Sequence, residues 1–210
     1  MNLDLSPDQE MIRGAVREFA REVVAPRAAE IDKRNEFPMD LVRKAAELDL
    51  LGIVVPERYG GIGLDHVCFT LFIEEIAKVS GTLAVILDVH TSVGTEPILE
   101  FGSEEQKERF LPGLASGATL GAFALTEPDS GSDASSLRAT ASQDGDRFVL
   151  NGVKTFITNV GVADLYIVMA RSNDTPGARG ISAFVVEKGS PGLTCGEPMH
   201  KLGLCGSSTG

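Results

Sequence analysis

Apolar residues recur every three or four positions through the first half of the chain, and gather into short runs punctuated by glycine after residue 118. Ile12, Val16, Phe19 and Val23 form one stripe, the spacing of an amphipathic helix face. Ser6-Pro7-Asp8-Gln9 precedes it, with a hydroxyl cap, Pro at the first helical position and Gln closing a capping box. Pro26 predicts a kink or a stop, because its ring removes an N–H and crowds the preceding turn. A second helix is predicted from Pro38 to Leu48, then a loop from Val55 to Gly63 freed by three glycines. Stretches 65–79 and 82–100 are apolar nearly all round, as in helices buried among others. Ser103-Glu104-Glu105-Gln106 repeats the capping box and starts a helix ending near Leu114.

Beyond residue 118 the signals are those of strands and turns. Asp144-Gly145 and Asn151-Gly152 are hairpin dipeptides on either side of Phe148-Val149-Leu150. Leu165 to Ala170 and Ile181 to Val186 read as strands, with Gly177, Gly180, Gly189 and Pro191 marking turns. The pattern predicts an α+β protein: a helical bundle over 1–118, then an antiparallel β-barrel-like domain over 119–210. No strand, Gly-rich turn and helix follow one another, so a Rossmann nucleotide domain is excluded.

Composition narrows the function classes. Of 210 residues 43% are hydrophobic, enough for a core, but Trp is absent and that core must be mainly aliphatic. A net charge of −11 argues against nucleic acid and anionic membranes as partners. Cys68, Cys195, Cys205, His66, His90 and His200 match no zinc spacing and read as structural, and free thiols suit a reducing cytoplasm. Met1-Asn2-Leu3-Asp4 has neither the basic nor the apolar region of a secretory signal. A bacterial-type cytoplasmic protein is expected, or a processed mitochondrial chain. The run from Leu83 to Leu87 breaks at Asp88, far short of the roughly 18 residues of a membrane span.

Two segments carry candidate chemistry. Phe123-Ala124-Leu125-Thr126-Glu127-Pro128-Asp129-Ser130-Gly131-Ser132-Asp133 crowds hydroxyls and a glycine at the end of an apolar run. Its N–H groups could nest an anion, although a capped surface turn is the simpler reading. Asn151-Gly152-Val153-Lys154-Thr155-Phe156-Ile157-Thr158-Asn159 reads as a strand leaving a hairpin, with Phe156 and Thr158 on one face. A flat heteroaromatic ligand could stack on the first and hydrogen-bond the second. Alone, the pair reads as a core Phe beside a β-favouring Thr.

Taken together these segments resemble those of the acyl-CoA dehydrogenase family. Phe123 to Asp133 matches its aromatic-x-x-Thr-Glu-Pro-x-x-Gly-Ser-Asp segment, and Asn151 to Asn159 its Asn-Gly-x-Lys-x-aromatic-Ile-Thr-Asn segment. Val55 to Gly61 is similar to the family's Pro-Glu-x-Tyr-Gly-Gly loop, and Lys201 to Thr209 to its Lys-x-Gly-x-x-Gly-Ser-Ser-Thr segment. The matches run in order along the whole chain.

The resemblance implies an N-terminal helical domain, a middle β domain and a C-terminal four-helix domain, with Gly210 falling inside the second. It implies FAD as cofactor and α,β-dehydrogenation of acyl-CoA thioesters, as in fatty-acid β-oxidation or branched amino-acid catabolism. Electron-transferring flavoprotein reoxidises the flavin, and the full-length enzymes are usually tetramers. Phe123, Ala124, Leu125, Thr126, Ser132, Phe156, Ile157 and Thr158 are implied to contact FAD. Thr126 would lie at the pyrimidine end of the ring and Thr158 near N5. Ser132, Gly94, Thr95, Ile98 and Leu99 are implied to border the acyl-CoA. The family's catalytic glutamate lies in the C-terminal region, so no residue of 1–210 inherits that role, and the chain alone is expected to be inactive. Glu127 is expected to fix the turn before Pro128, and Glu74 and Glu75 to cap or solvate a helix face. A non-catalytic CoA- or flavin-binding module, and a flavin oxidase or monooxygenase on the same fold, are the alternative readings.

Overall fold

The computed structural model describes residues 4–210, so the reading of Met1 to Leu3 lies outside the described residues. Helix α1 (Pro7–Phe19) starts as expected: Gln9 N–H donates to Ser6 Oγ at 3.2 Å and Ser6 N–H to Gln9 Oε1 at 3.0 Å. Pro26 neither stops nor breaks the helix. A π turn (Ala20–Val24) widens the backbone just before it, and α2 (Ala25–Arg34) continues beyond. Ala25 N–H reaches back five residues to the Ala20 carbonyl, and this wider turn gives the proline ring the room that an α-turn denies. After α3 (Met39–Ala46) the glycine loop makes one 3-10 turn, Glu57–Tyr59. Gly61 is obligatory there, since a Cβ would lie 2.0 Å from the Val55 carbonyl oxygen.

Helices α4 (His66–Ala77) and α5 (Gly81–Val89) are the apolar pair. A second π turn (His90–Thr95) joins α5 to α6 (Glu96–Phe101), and α7 (Glu104–Ala115) opens on the Ser103–Gln106 capping box. Phe72, Ile76, Leu83, Ile86 and Leu87 pack with Val16, Phe19, Ile31 and Leu41 into one buried cluster. No described helix is long and apolar enough to cross a membrane.

Glu75 departs from expectation. It does not solvate a helix face; it is 3% exposed between α1 and α4. Arg17 donates to both its oxygens, at 2.9 and 3.1 Å, and Lys78 to one at 2.9 Å. The bonds from Arg17, against the opposing effect of burial, and those from Lys78 hold its carboxyl at about 2. A buried carboxylate needs such partners, and here they tie the first helix to the fourth. Glu74 does face solvent, paired with Lys78 at 2.7 Å. Glu75→Gln keeps the shape and loses the charge. It is expected to cost about 2 kcal/mol at neutral pH, read from urea denaturation, since half-exposed Arg17 can turn to water.

The strands are β1 (Gly121–Ala124), β2 (Thr140–Asp144), β3 (Arg147–Asn151), β4 (Leu165–Arg171) and β5 (Ile181–Glu187). Helices followed by a sheet realise the α+β reading. β5 runs antiparallel along one edge of β4. On the other edge β1 lies parallel to Leu165–Val168, and β2 joins in parallel at Arg171 opposite Thr140. The sheet is thus mixed rather than wholly antiparallel, and it does not close among the described residues. The long excursion between β1 and β4 is what permits a parallel pair, which no tight turn can connect.

Of the two hairpin signals only the first makes a hairpin. Gly145-Asp146 joins β2 to β3, with Gly145 at φ 63°. Gly152 instead lets the chain pass over Ala139, whose Cβ would lie 2.5 Å from any Cβ at 152, and the backbone then leaves the ladder. On β3, Phe148 and Val149 stay about half exposed.

Candidate functional site

Strand β1 delivers Phe123 and Ala124 to its end, where the chain turns at Glu127. Glu127 and Ser130 exchange backbone hydrogen bonds at 2.9 and 3.1 Å across Pro128-Asp129. The Glu127 carboxylate, 7% exposed, accepts from Arg138 N–H at 2.6 Å, Ala139 N–H at 2.9 Å and Lys154 Nζ at 2.8 Å. Burial pushes its pKa up, but Lys154 and the two backbone donors outweigh burial and hold it below the usual range.

Lys154 belongs to the second segment, and it joins the two. Its Nζ also donates to the Leu125 carbonyl at 2.9 Å, and Thr155 N–H donates to the Thr126 carbonyl at 2.9 Å. Segments nearly thirty residues apart are thereby laid side by side around a buried ion pair.

Phe156 and Thr158 do not share a strand face. Phe156 takes φ 60°, a left-handed conformation costly for a bulky side chain, and the residue is 64% exposed. The cause lies on either side of it. Thr155 is bonded to Thr126, whereas Ile157 exchanges hydrogen bonds with Gly210 at 2.7 and 3.2 Å, and Thr158 stands opposite Thr209. The chain changes partner between 155 and 157, and Phe156 absorbs the change. Ile157 turns inward onto Ala122, Ala124 and Tyr166, which leaves the Phe156 ring outside.

The remaining candidates divide. Gly94, on the second π turn, touches β1 directly: a Cβ on Gly94 would lie 3.0 Å from the Gly121 Cα. Leu99 is partly buried against the cluster that also receives Phe123. Ile98 is fully packed in that cluster, and the Thr95 hydroxyl donates to the His90 carbonyl at 2.8 Å. Ser132 stands exposed on the turn after Ser130.

Three residues given no site role from sequence organise this region: Lys154, His90 and Asn159. Lys154 lies inside a singled-out segment, but nothing local says that its partner is Glu127. His90 is buried, as a structural histidine should be; its Nε2 faces the Leu114 carbonyl at 3.1 Å and its Nδ1 accepts from Gly121 N–H at 3.0 Å.

The donor set suits a planar, hydrogen-bonding cofactor such as FAD: an exposed aromatic ring held in strain, with the Thr126 and Thr158 positions on the two segments pinned beside it. A ring ordered away from the core gains by stacking on a flat partner, which offsets the strain that orders it.

Known proteins share this sequence pattern and fold. Residues 6–118 match the N-terminal domain, and residues 122–210 the middle domain, of acyl-CoA dehydrogenases. An acyl-CoA dehydrogenase of Bacillus subtilis is 54% identical over 99% of this chain and 55% of its own length. Butyryl-CoA dehydrogenase of Megasphaera elsdenii superposes with a TM-score of 0.95 at 38% identity, over 100% of this chain and 56% of that one. An acyl-CoA dehydrogenase of Bacillus anthracis, solved in complex with FAD, does so with a TM-score of 0.88 at 40% identity, over 98% of this chain and 35% of that one. The chain spans about half the length of the curated relatives it matches. Two domain matches in tandem, with identity of this order over the whole chain, show that it belongs to the acyl-CoA dehydrogenase family.

Proposed function

We propose that this chain supplies the flavin side and part of the acyl side of a site for α,β-dehydrogenation of acyl-CoA thioesters. The observation that carries the reading is the junction of the two segments through Lys154, which leaves a strained, exposed Phe156 beside the Thr126 strand end. FAD, when bound, supplies the hydride acceptor. Phe123 and Ala124 border it from β1, Leu125, Thr126 and Ser132 from the turn that follows, and Phe156, Ile157 and Thr158 from the second segment. The Phe156 ring packs against the flavin, and the hydroxyls of Thr126 and Thr158 orient it by hydrogen bonds. A fixed donor beside the atom that gains charge lowers the barrier without reorganising.

Ser132 contacts the acyl-CoA, and Gly94, Thr95, Ile98 and Leu99 form the wall of its tail. Leu99 is only partly buried, whereas Ile98 is packed in the core and the Thr95 hydroxyl is bonded to the His90 carbonyl, which supports Leu99 as the residue facing the tail with the other two behind it. No carboxylate of this chain is assigned the α-proton. Glu127 is held ionised by three donors and Glu75 by two cations, and an ion already stabilised in this way makes a weak base. The base is assigned to residues outside these 210. In the complete protein an electron-transferring flavoprotein takes the electrons, the assembly is a homotetramer, and the setting is cytoplasmic.

The test is the visible spectrum of FAD titrated with the protein, followed by short- and medium-chain acyl-CoAs without oxygen. A perturbed flavin spectrum that does not bleach is expected. Bleaching would place a base within these residues and refute its assignment elsewhere. An unperturbed spectrum would refute the flavin site.

A further inference from the structure

Gly121 opens β1, and both polar groups of this residue are held by buried side chains from other elements. Its N–H donates to His90 Nδ1 at 3.0 Å, and its carbonyl accepts from Asn159 Nδ2 at 3.1 Å. The other His90 nitrogen faces the Leu114 carbonyl, so the proton sits on Nε2 and Nδ1 is free to accept. Asn159 Nδ2 donates a second time, to the Ile86 carbonyl on α5 at 3.2 Å. Two carbonyl partners fix the amide with its nitrogen toward them. Both side chains are fully buried.

Three parts of the proposed site meet at this one residue. The rod of α5, the π turn and α6 carries Gly94 and Leu99, and Gly94 touches Gly121 backbone to backbone. Strand β1 carries Phe123 and leads to Thr126. Asn159 follows Thr158, and its own N–H is bonded to the Ser208 carbonyl at 2.8 Å. An unpaired buried amide or carbonyl is costly, so all three parts are held to a single relative placement while the bonds stand.

We propose that Asn159 and His90 are positioning residues that clamp Gly121 and so set the spacing between the acyl-side helix and the flavin-side strand. The role rests on the flavin reading above. Two deletions separate it from general stability. Asn159 has φ 66°, so Asn159→Gly keeps the left-handed backbone at no steric cost and removes both donated bonds. His90→Asn retains an acceptor near the Nδ1 position, whereas His90→Leu does not.

Amide hydrogen exchange of the protein without cofactor reads the clamp, and FAD titration reads its service to the site. In Asn159→Gly the amides of 121–124 and 158–162 are expected to exchange about tenfold faster, with those of α1 and α4 at parental rates. The FAD dissociation constant is expected to rise about tenfold. His90→Leu should reproduce both effects, and His90→Asn should restore Gly121 exchange and FAD affinity to within about twofold. Uniform acceleration through every helix would overturn the proposal, as would parental FAD affinity in a variant whose β1 amides have loosened. Should Asn159→Gly fail to fold, equal behaviour of the two His90 variants would overturn it. A parent protein that leaves the FAD spectrum unchanged refutes the flavin reading, and the clamp's role with it; that failure is visible before any variant is made.

Discussion

Replacing Lys154 with methionine is expected to destabilise the protein by about 3 kcal/mol at neutral pH, a large share of the stability of a domain this size. Methionine fills similar volume, so little of the loss comes from packing. The cost arises from Glu127, whose carboxylate stays buried with its cation gone and only the Arg138 and Ala139 N–H groups left as donors. The Leu125 carbonyl loses its partner too. In the parent the Glu127 pKa is depressed, so its contribution is complete above the ordinary carboxylate range and is lost as pH falls below it. In the variant burial prevails, the pKa rises, and protonation becomes the way to relieve the buried charge. The stability gap between the two proteins should therefore narrow with acidification. Urea denaturation at neutral pH and near pH 4 checks this, and a gap that widens instead would show that Glu127 is not the source. Adding Glu127→Gln to Lys154→Met should recover part of the loss, as a double-mutant cycle would measure.

Acid should weaken the fold through His90. Burial, only partly opposed by the bond to the Leu114 carbonyl, pushes its pKa from 6.5 down to about 4. Between those values the unfolded chain holds a proton that the folded one refuses. Stability is thus undiminished above 6.5 and falls as pH drops toward about 4, by about 3 kcal/mol over the whole interval. The imidazole bridges α7 and β1, and a protonated ring could no longer accept from Gly121 N–H. Asp88, two residues earlier, has its pKa raised by burial and opposes this trend. Comparison with His90→Asn removes that background: the variant is less stable at neutral pH, but its stability should fall much less between pH 6.5 and about pH 4. Equal slopes for parent and variant would show that His90 does not govern the acid response.

Much of the helical half is legible in the chain itself. Ser6 and Ser103 cap where their side chains can reach the third helical N–H, a matter of one turn. The all-apolar runs over α4 and α5 announce buried helices because burial on every side leaves no polar stripe. Pro26 is legible only in part: the α ladder is interrupted just before it, but by a π turn that no local preference foretells and that lets the helix continue. Glu75 misleads: a Glu on an apolar helix looks like a solvent face until Arg17, fifty-eight residues earlier in the chain, comes within 2.9 Å. Phe156 looks like a strand residue because the alternation of 156 and 158 is real. Only the change of partner between Thr155 and Ile157 shows that the strand is broken there.

The family, the order of helices before sheet, and the identity of the two motif-bearing segments are legible along the chain, because each of these rests on caps, periods and motifs that span a few residues. The tertiary structure decided the rest: the parallel pairing of β1 with β4, the Glu127–Lys154 pair across 27 residues, and the Asn159 reach of 73 residues to Ile86. The physical reason is range. A cap or a turn is satisfied by its own neighbours, whereas a buried charge or carbonyl accepts whichever partner the packed chain delivers, and packing is settled by the whole core at once.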